Sequence, residues 1–523
     1  MTEQHIFQSR IWKLLCDYAI KIKQKHLRDL FTENALRGNE MNKKIEGLQY
    51  NFCREKIDTN GMKLLFELLR EAGLKESIDE MFRGDKINTT ENRSVLHTAL
   101  RLPKDQKLVV DGIDIVKSVH KVLDQMTQFT EDIYNGKRLG ATGKKIKHIV
   151  NIGIGGSDLG SKMAYHALTK YRKSTIDVQF VSNVDPTDLA ETLKLCQPEE
   201  TLFIICSKKF TTEETLANAN KAKKWIVNAL GTEAISFHFV AISANKVLVN
   251  QFGMKDENMF EMWDWVGGRF SISSAVGLSL MLGIGPKYFK EILSGMHEMD
   301  NHYLRTDFEN NIPVIMALLS IWNTTFLNNI IYSMITYDVF LKLFPKHLQQ
   351  LLAESLGKSI NIFNQSVTYQ TSPLILDGLG TDFEHSFNQL IHMGTVRQFA
   401  LTFLSCKESL QENSEKAQST LLAHMFAQAD SLAFGVENKD RHKREFGDIP
   451  SSILLIDKLT PFSLGQLIAL YEHQVHAQAS ILQINGFDQF GVEAGKKAAT
   501  KNILKFKQEG FNEKSIEKMM KKQ

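Results

Sequence analysis

From about residue 145 the chain alternates short apolar, β-favouring runs with stretches of helical spacing, and this alternation restricts the fold more than any other feature. The runs 146–152, 176–181, 201–206 and 235–242 read as strands. Helical patterns follow at about 158–171, at 187–195 and after Thr212. Strands joined by helices form βαβ units, whose parallel sheet is covered by helices on both faces. The alternation recurs more faintly at 314–323, 374–376, 401–404, 452–456 and 480–484, of which the first could itself be helical. Two α/β units of similar build are expected. Residues 1–115 read as helices, for example 12–31 and 61–72, and 330–344 reads as a buried helix too short to cross a bilayer.

At 523 residues the chain exceeds what one core usually serves. It has only nine prolines and no low-complexity linker, so closely packed units are expected. The formal net charge of +3, without a basic stripe, argues against a nucleic-acid partner. Five scattered cysteines show no zinc-ligand spacing and fit reduced thiols in a cytosolic protein. The first residues carry an amphipathic pattern, not the apolar core of a secretion signal.

The run Thr201–Cys206 stops at Ser207-Lys208-Lys209-Phe210-Thr211-Thr212, and a helical pattern follows with Thr211 and Glu214 spaced as a capping box. Hydroxyls, ammonium groups and the free N–H groups of a helix start suit a phosphate; an ordinary strand-to-helix loop is the plainer alternative for this segment taken alone. The turn after the first strand carries Gly153, Gly155, Gly156 and Ser157. It misses the dinucleotide fingerprint because Asp158 stands in place of the third glycine, where a carboxylate would face pyrophosphate. A phosphosugar against Gly156 and Ser157 suits the turn better.

Other candidates lie on separate segments. Pro345 and Gly357 bound a predicted helix on which Gln350 and Glu354 share a face. Glu354 falls in its last turn, where the helix dipole disfavours a charged carboxylate, as a general base requires; a solvated surface glutamate is the plainer alternative. Arg269 follows Gly267 and Gly268 and could face a developing oxyanion. His385 is placed in a first helical turn opened by a Thr381–Glu384 capping box, with a packed core histidine as the alternative. Gln489 and Lys496 fall on one face of a helix entered through a turn.

Taken together these segments resemble the phosphoglucose isomerase family. The likeness runs through Thr90-Glu91-Asn92-Arg93-Ser94-Val95-Leu96-His97, the glycine turn, Ser207 to Thr215, Asp264 to Arg269, Gln349 to Lys358, Gly380 to Gly394, Leu459 to Gly465, Tyr471-Glu472-His473 and Phe487 to Lys496. It implies two sugar-isomerase-type three-layer αβα domains with parallel sheets, at 116–282 and 283–500. A helical segment 1–115, packing with the second domain, and a C-terminal helix 501–523 would wrap them. It also implies a cytoplasmic homodimer that interconverts glucose 6-phosphate and fructose 6-phosphate through a cis-enediolate, with no metal, organic cofactor, nucleic acid or membrane involved. Glu354 would be the base and Arg269 would stabilise the enediolate. Lys496 and the partner subunit's His385 would assist ring opening. Gly156, Ser157, Ser207, Lys208, Thr212 and Gln350 would bind substrate, mainly at its phosphate, with Gln489 beside the ring.

The chain departs from the family pattern at several places. Lys209 stands where threonine is usual, and would pair with the phosphate or turn outward. Leu356 replaces an asparagine, Asp377-Gly378-Leu379 replaces Gly-Glu-Pro, and Glu384 puts a carboxylate where glutamine is usual beside His385. The rival reading is a phosphosugar-binding regulator, which would carry a helix-turn-helix DNA-binding domain; no basic recognition helix is apparent.

Overall fold

The computed structural model describes residues 5–521; residues 1–4 and 522–523, at the ends of the expected first and last segments, lie outside it. Strands β1 (Asn42–Ile45) and β2 (Leu48–Arg54) form an antiparallel hairpin, and β3 (Val109–Val110) with β4 (Ile113–Asp114) forms a small ribbon. Next come β5 (His148–Ile152), β6 (Asp177–Val181), β7 (Thr201–Cys206), β8 (Phe239–Ser243) and β9 (Met259–Glu261). They make a five-stranded parallel sheet in the order β6-β5-β7-β8-β9. Strands β10 (Ile331–Thr336), β11 (Leu374–Leu379), β12 (Phe399–Glu408) and β13 (Ser451–Lys458) are parallel to one another. With the hairpin they make a six-stranded sheet in the order β1-β2-β13-β12-β10-β11.

Why the strands read as unbroken apolar runs is visible in how they are buried. Every residue of β7 is buried: Leu202, Ile204 and Cys206 enter one core, while Phe203 and Ile205 enter another. In the second sheet Met334 of β10 points into that first core and its neighbour Ile335 into a third. Successive side chains alternate faces, so a strand covered on both sides must be apolar throughout. The large common core lies between the sheets and is filled by helices such as Pro286–Arg305 and Pro461–Ile481. Inside it Arg101 bonds both oxygens of Asp300 at 2.8 and 2.6 Å and Glu472 at 2.6 Å, all out of water. Burial pushes Glu472 up to about 7 against the pull of Arg101.

Several expectations fail for definable reasons. Residues 42–54 are not helical but a hairpin turning at Gly47 (φ +73) and pairing with β13. Leu48, Tyr50 and Phe52 are buried while Gln49 and Asn51 are not, a period of two inside a segment surrounded by helices. The stretch 330–344 holds β10, which has a neighbour on each side; a strand buried on both faces cannot be told from a buried helix by spacing. The run 235–242 opens with a helical turn, Ile235–His238, before β8, and the His238 ring bonds the Thr201 carbonyl at 2.6 Å. Residues 314–323 fall mostly in the helix Ile312–Ile321, and 480–484 begins as the end of the helix Pro461–Ile481. The last segment is two helices, Phe490–Glu509 and Glu513–Met520.

Candidate active site

In the first sheet the chain leaves β5 towards β6 on one side and β7 towards β8 on the other. The loops after β5 and β7 therefore diverge and leave a crevice at the carboxyl ends of the strands, the usual ligand position in such sheets. The loop after β5 is the glycine turn. A Cβ on Gly156 would lie 2.2 Å from the Gly268 carbonyl, so only glycine lets this turn rest on the Arg269 turn. Gly155 (φ +59) lies against the Gln350 side chain on the other flank.

The loop after β7 does not form the expected capping box. Thr212 is the N-cap of the helix Glu213–Leu230, yet no side chain caps that helix. Ser207 Oγ bonds Thr212 Oγ1 at 3.1 Å instead. The first N–H groups of this long helix thus have no side-chain cap, which suits an anion. Lys208 is half-buried and donates to the Val266 carbonyl at 3.0 Å. Burial, with Arg93 and Lys209 nearby, pulls its ammonium below the ordinary lysine range despite Asp264.

Lys208, Lys209, Thr212, Gln489 and Lys496 line one cavity of about 310 Å³, together with Arg93 and Trp265. Lys209 and Lys496 are exposed. Gly156 and Ser157 lie in the adjoining glycine turn and Ser207 is buried; none of the three lines that cavity.

The other half of the site comes from the second unit. The helix Phe344–Leu356 has Pro345 in its first turn and ends at Gly357, as its sequence predicts. Gln350 Nε2 donates to Glu354 Oε1 at 3.2 Å. Arg269 organises the rest. Its Nη1 donates to Glu354 Oε2 at 3.1 Å and to Gln489 Oε1 at 3.0 Å. Its Nε donates to Ser355 Oγ at 2.6 Å, and its Nη2 to the carbonyls of Gly486 at 2.6 Å and Asp488 at 3.3 Å. Burial lowers its proton affinity while Glu354 raises it, and a guanidinium keeps its charge under such conditions. Gln489 lines the cavity shared with the loop after β7 and also accepts from Arg269, so it links that loop's cavity to the Glu354–Arg269 pair.

His385 is not part of this cluster in one chain. It follows the helix Gly380–Glu384, at the carboxyl edge of the second sheet, and is exposed. Glu354 ends a helix that runs back antiparallel to β10, so it lies at the opposite edge. The expected capping box is missing here too: no side chain caps Gly380–Glu384, and His385 closes the helix instead of opening it. The Glu384 carboxylate is occupied elsewhere, accepting from the Tyr337 hydroxyl at 2.8 Å and lying 3.3 Å from His424 Nδ1.

Three site residues escaped the sequence reading. Ser355 orients Arg269. Lys358 Nζ bonds Asp488 Oδ1 at 2.5 Å and the Asp488 carbonyl at 2.7 Å, tying the end of the Glu354 helix to the loop before Gln489. Lys358 and Asp488 both fall in quoted motifs, but nothing in sequence pairs charges so far apart. Among the described residues no cluster of His, Cys, Asp and Glu is placed to hold a metal, and no helix is long and apolar enough to cross a membrane.

A model of the phosphoglucose isomerase family matches residues 51–518. A glucose-6-phosphate isomerase of Nitrosospira multiformis is 45% identical over 501 residues, covering 94% of this chain and 92% of the relative. One of Deinococcus deserti is 45% identical over 508 residues, covering 94% and 93%. The crystal structure of a glucose-6-phosphate isomerase from Chlamydia trachomatis superposes with a TM-score of 0.89 at 30% identity and covers 99% of both chains. Matched by the family model over residues 51–518 and by relatives along nearly its whole length, the chain belongs to the phosphoglucose isomerase family.

Proposed function

We propose that this chain is an aldose–ketose isomerase that interconverts glucose 6-phosphate and fructose 6-phosphate in the cytoplasm, in glycolysis and gluconeogenesis. The observation that carries the reading is Arg269 Nη1 held between Glu354 at 3.1 Å and Gln489 at 3.0 Å, beside a cavity that Arg93, Lys208, Lys209 and Lys496 line together with several carboxylates. An isomerisation between C1 and C2 needs one carboxylate that takes a proton from one carbon and returns it to the other, with a cation at the oxygen that gains charge. Glu354 takes the C2 proton of the open-chain aldose. The C1 carbonyl oxygen collects the electron pair beside Arg269; the proton of the C2 hydroxyl passes to that oxygen, and the proton on Glu354 returns to C1 as the C2 oxygen becomes the ketone carbonyl.

The phosphate sits against the loop after β7 and the glycine turn, gripped by Ser207, Lys208, Lys209 and Thr212 with Gly156, Ser157 and Gln350 alongside. Binding energy from this remote dianion aligns the reacting carbons. Gln489 lies beside the sugar ring, and Lys496 helps to open it. The second ring-opening group is the partner subunit's His385, in a homodimer. Supporting this, His385 and Glu354 of one chain stand at opposite edges of the second sheet, and His385 is exposed.

Mixing two inactive variants tests the arrangement. Glu354→Gln and His385→Ala chains are unfolded and refolded together. If His385 crosses the interface, each mixed dimer has one intact site, and random pairing returns about a quarter of wild-type activity. If His385 serves its own chain, no mixture regains activity and the dimeric site is wrong.

A further inference from the structure

The four parallel strands β6-β5-β7-β8 and β11-β10-β12-β13 follow one plan. In each group the chain leaves the second-position strand outward, returns on that strand's other side, and continues away. The second sheet therefore has its own reversal point, between β10 and β12, where a crevice must open at the carboxyl ends of the strands. It does: a cavity of about 500 Å³ lies there, in the range of small-molecule sites. The cavity shares the helix Gly380–Glu384 with His385, but His385 does not line it, and the Glu354 helix ends at the opposite edge of the sheet.

The lining chemistry differs from that of the first crevice. Asp338 follows β10, Thr381 and Asp382 follow β11, Ser409 and Gln411 follow β12, and Gln418 stands on the helix after it. Among the described residues no lysine or arginine lines the cavity, and no glycine turn follows β10 or β12. One ammonium, Lys170, bonds Gln411 Oε1 at 3.1 Å without being a lining group. Asp338 is held in place by the Phe340 N–H at 2.8 Å and the Cys406 thiol at 3.2 Å. Asp382, with Asp338 raised above the usual carboxylate range by burial, gives a phosphate ester no lining cation to pair with. Gln418 Nε2 is taken by the Cys406 carbonyl at 2.6 Å, which leaves the Asp382 carboxylate and Gln418 Oε1 to accept from ligand hydroxyls and the Gln411 amide, Thr381 and Ser409 to donate, while Phe340 and Leu410 offer apolar surface for a ring face.

We infer that the crevice between β10 and β12 binds a neutral polyhydroxylated ligand of monosaccharide size, such as an unphosphorylated sugar, separately from the phosphosugar crevice. With few preorganised contacts the expected Kd is of order millimolar. The experiment is saturation-transfer NMR on the intact enzyme with D-glucose and sorbitol as probes, with and without saturating fructose 6-phosphate. Leu410→Trp, which fills the crevice mouth, is measured alongside, with isomerase activity as the check on folding. A signal that survives fructose 6-phosphate and falls at least tenfold in Leu410→Trp supports the site. Four results overturn it: no signal at tens of millimolar probe, loss of the signal to fructose 6-phosphate, an unchanged signal in Leu410→Trp, or stronger binding of a simple alkylammonium than of either polyol. Should Leu410→Trp be inactive, Gln418→Leu replaces it, with the same outcomes.

Discussion

The two reversal points of this molecule share a strand plan and differ in charge. After β5 and β7 stand glycines, hydroxyls and two lysines, in a cavity where cations and carboxylates are mixed; after β10 and β12 stand carboxylates and amides with no lysine or arginine among the described lining residues. The backbone plan creates both openings, whereas the side chains that follow each strand decide what can enter. On the proposed reading the duplicated fold concentrates phosphate binding in one unit. The other unit sends a helix back to the first with Glu354 at its end, so the proposed site takes its anchor from the first sheet and its proton carrier from the second.

The largest effect expected is that of Glu354→Gln. Turnover in a coupled assay falls by up to about four orders of magnitude, while fructose 6-phosphate binding stays within about tenfold. Unchanged turnover would move the chemistry away from the second unit. Arg269→Lys comes next. A lysine cannot reproduce the fork that reaches Ser355, Gly486, Gln489 and Glu354, and kcat falls by about 10²–10³ with a smaller change in KM. Lys208→Met sharpens the charge contrast between the crevices. One charge-assisted contact is worth about 1.5–3 kcal/mol, so KM for the phosphosugar rises about 10–100-fold and depends less on salt. Lys209→Thr gives a smaller rise in KM, a few-fold, with weaker salt dependence; if KM and its salt response stay put, Lys209 faces solvent.

The smallest effect concerns stability. Burial pushes the Asp158 carboxyl up from 3.8 to about 6, against Lys162 and the Ser182 hydroxyl and with help from Asp188. A folded pKa above the unfolded one means that the folded state holds the extra proton. Its stability contribution is full below about 4 and is lost as pH rises through about 6. In Asp158→Asn that portion of the fall in Tm between pH 4 and 6 disappears. The same slope in both proteins would show that Asp158 titrates normally.

How far the sequence reached depends on where each signal resides. β7 was legible to the residue because a strand covered on both faces must be apolar and its end is marked by a run of polar groups. The Glu354 helix was legible because Pro345 and Gly357 punctuate it. The hairpin 42–54 was hidden because its short alternation lies among helices, and β10 because doubly buried strand and buried helix share one apolar pattern. Both capping-box readings, at Thr211 and Thr381, came from spacing alone; in the fold Glu384 bonds Tyr337 instead. Arg269 with Glu354 could be suspected residue by residue, but Ser355, Lys358 and Asp488 act through contacts that only the folded chain creates.

The most direct test follows the proton itself. Glucose 6-phosphate deuterated at C2 is incubated with wild-type and Glu354→Gln enzyme, and the label is read by NMR. The account predicts that wild type moves deuterium from C2 to C1 or to water, whereas Glu354→Gln leaves it on C2. Loss of label from C2 at the wild-type rate in Glu354→Gln would contradict the assignment of the base.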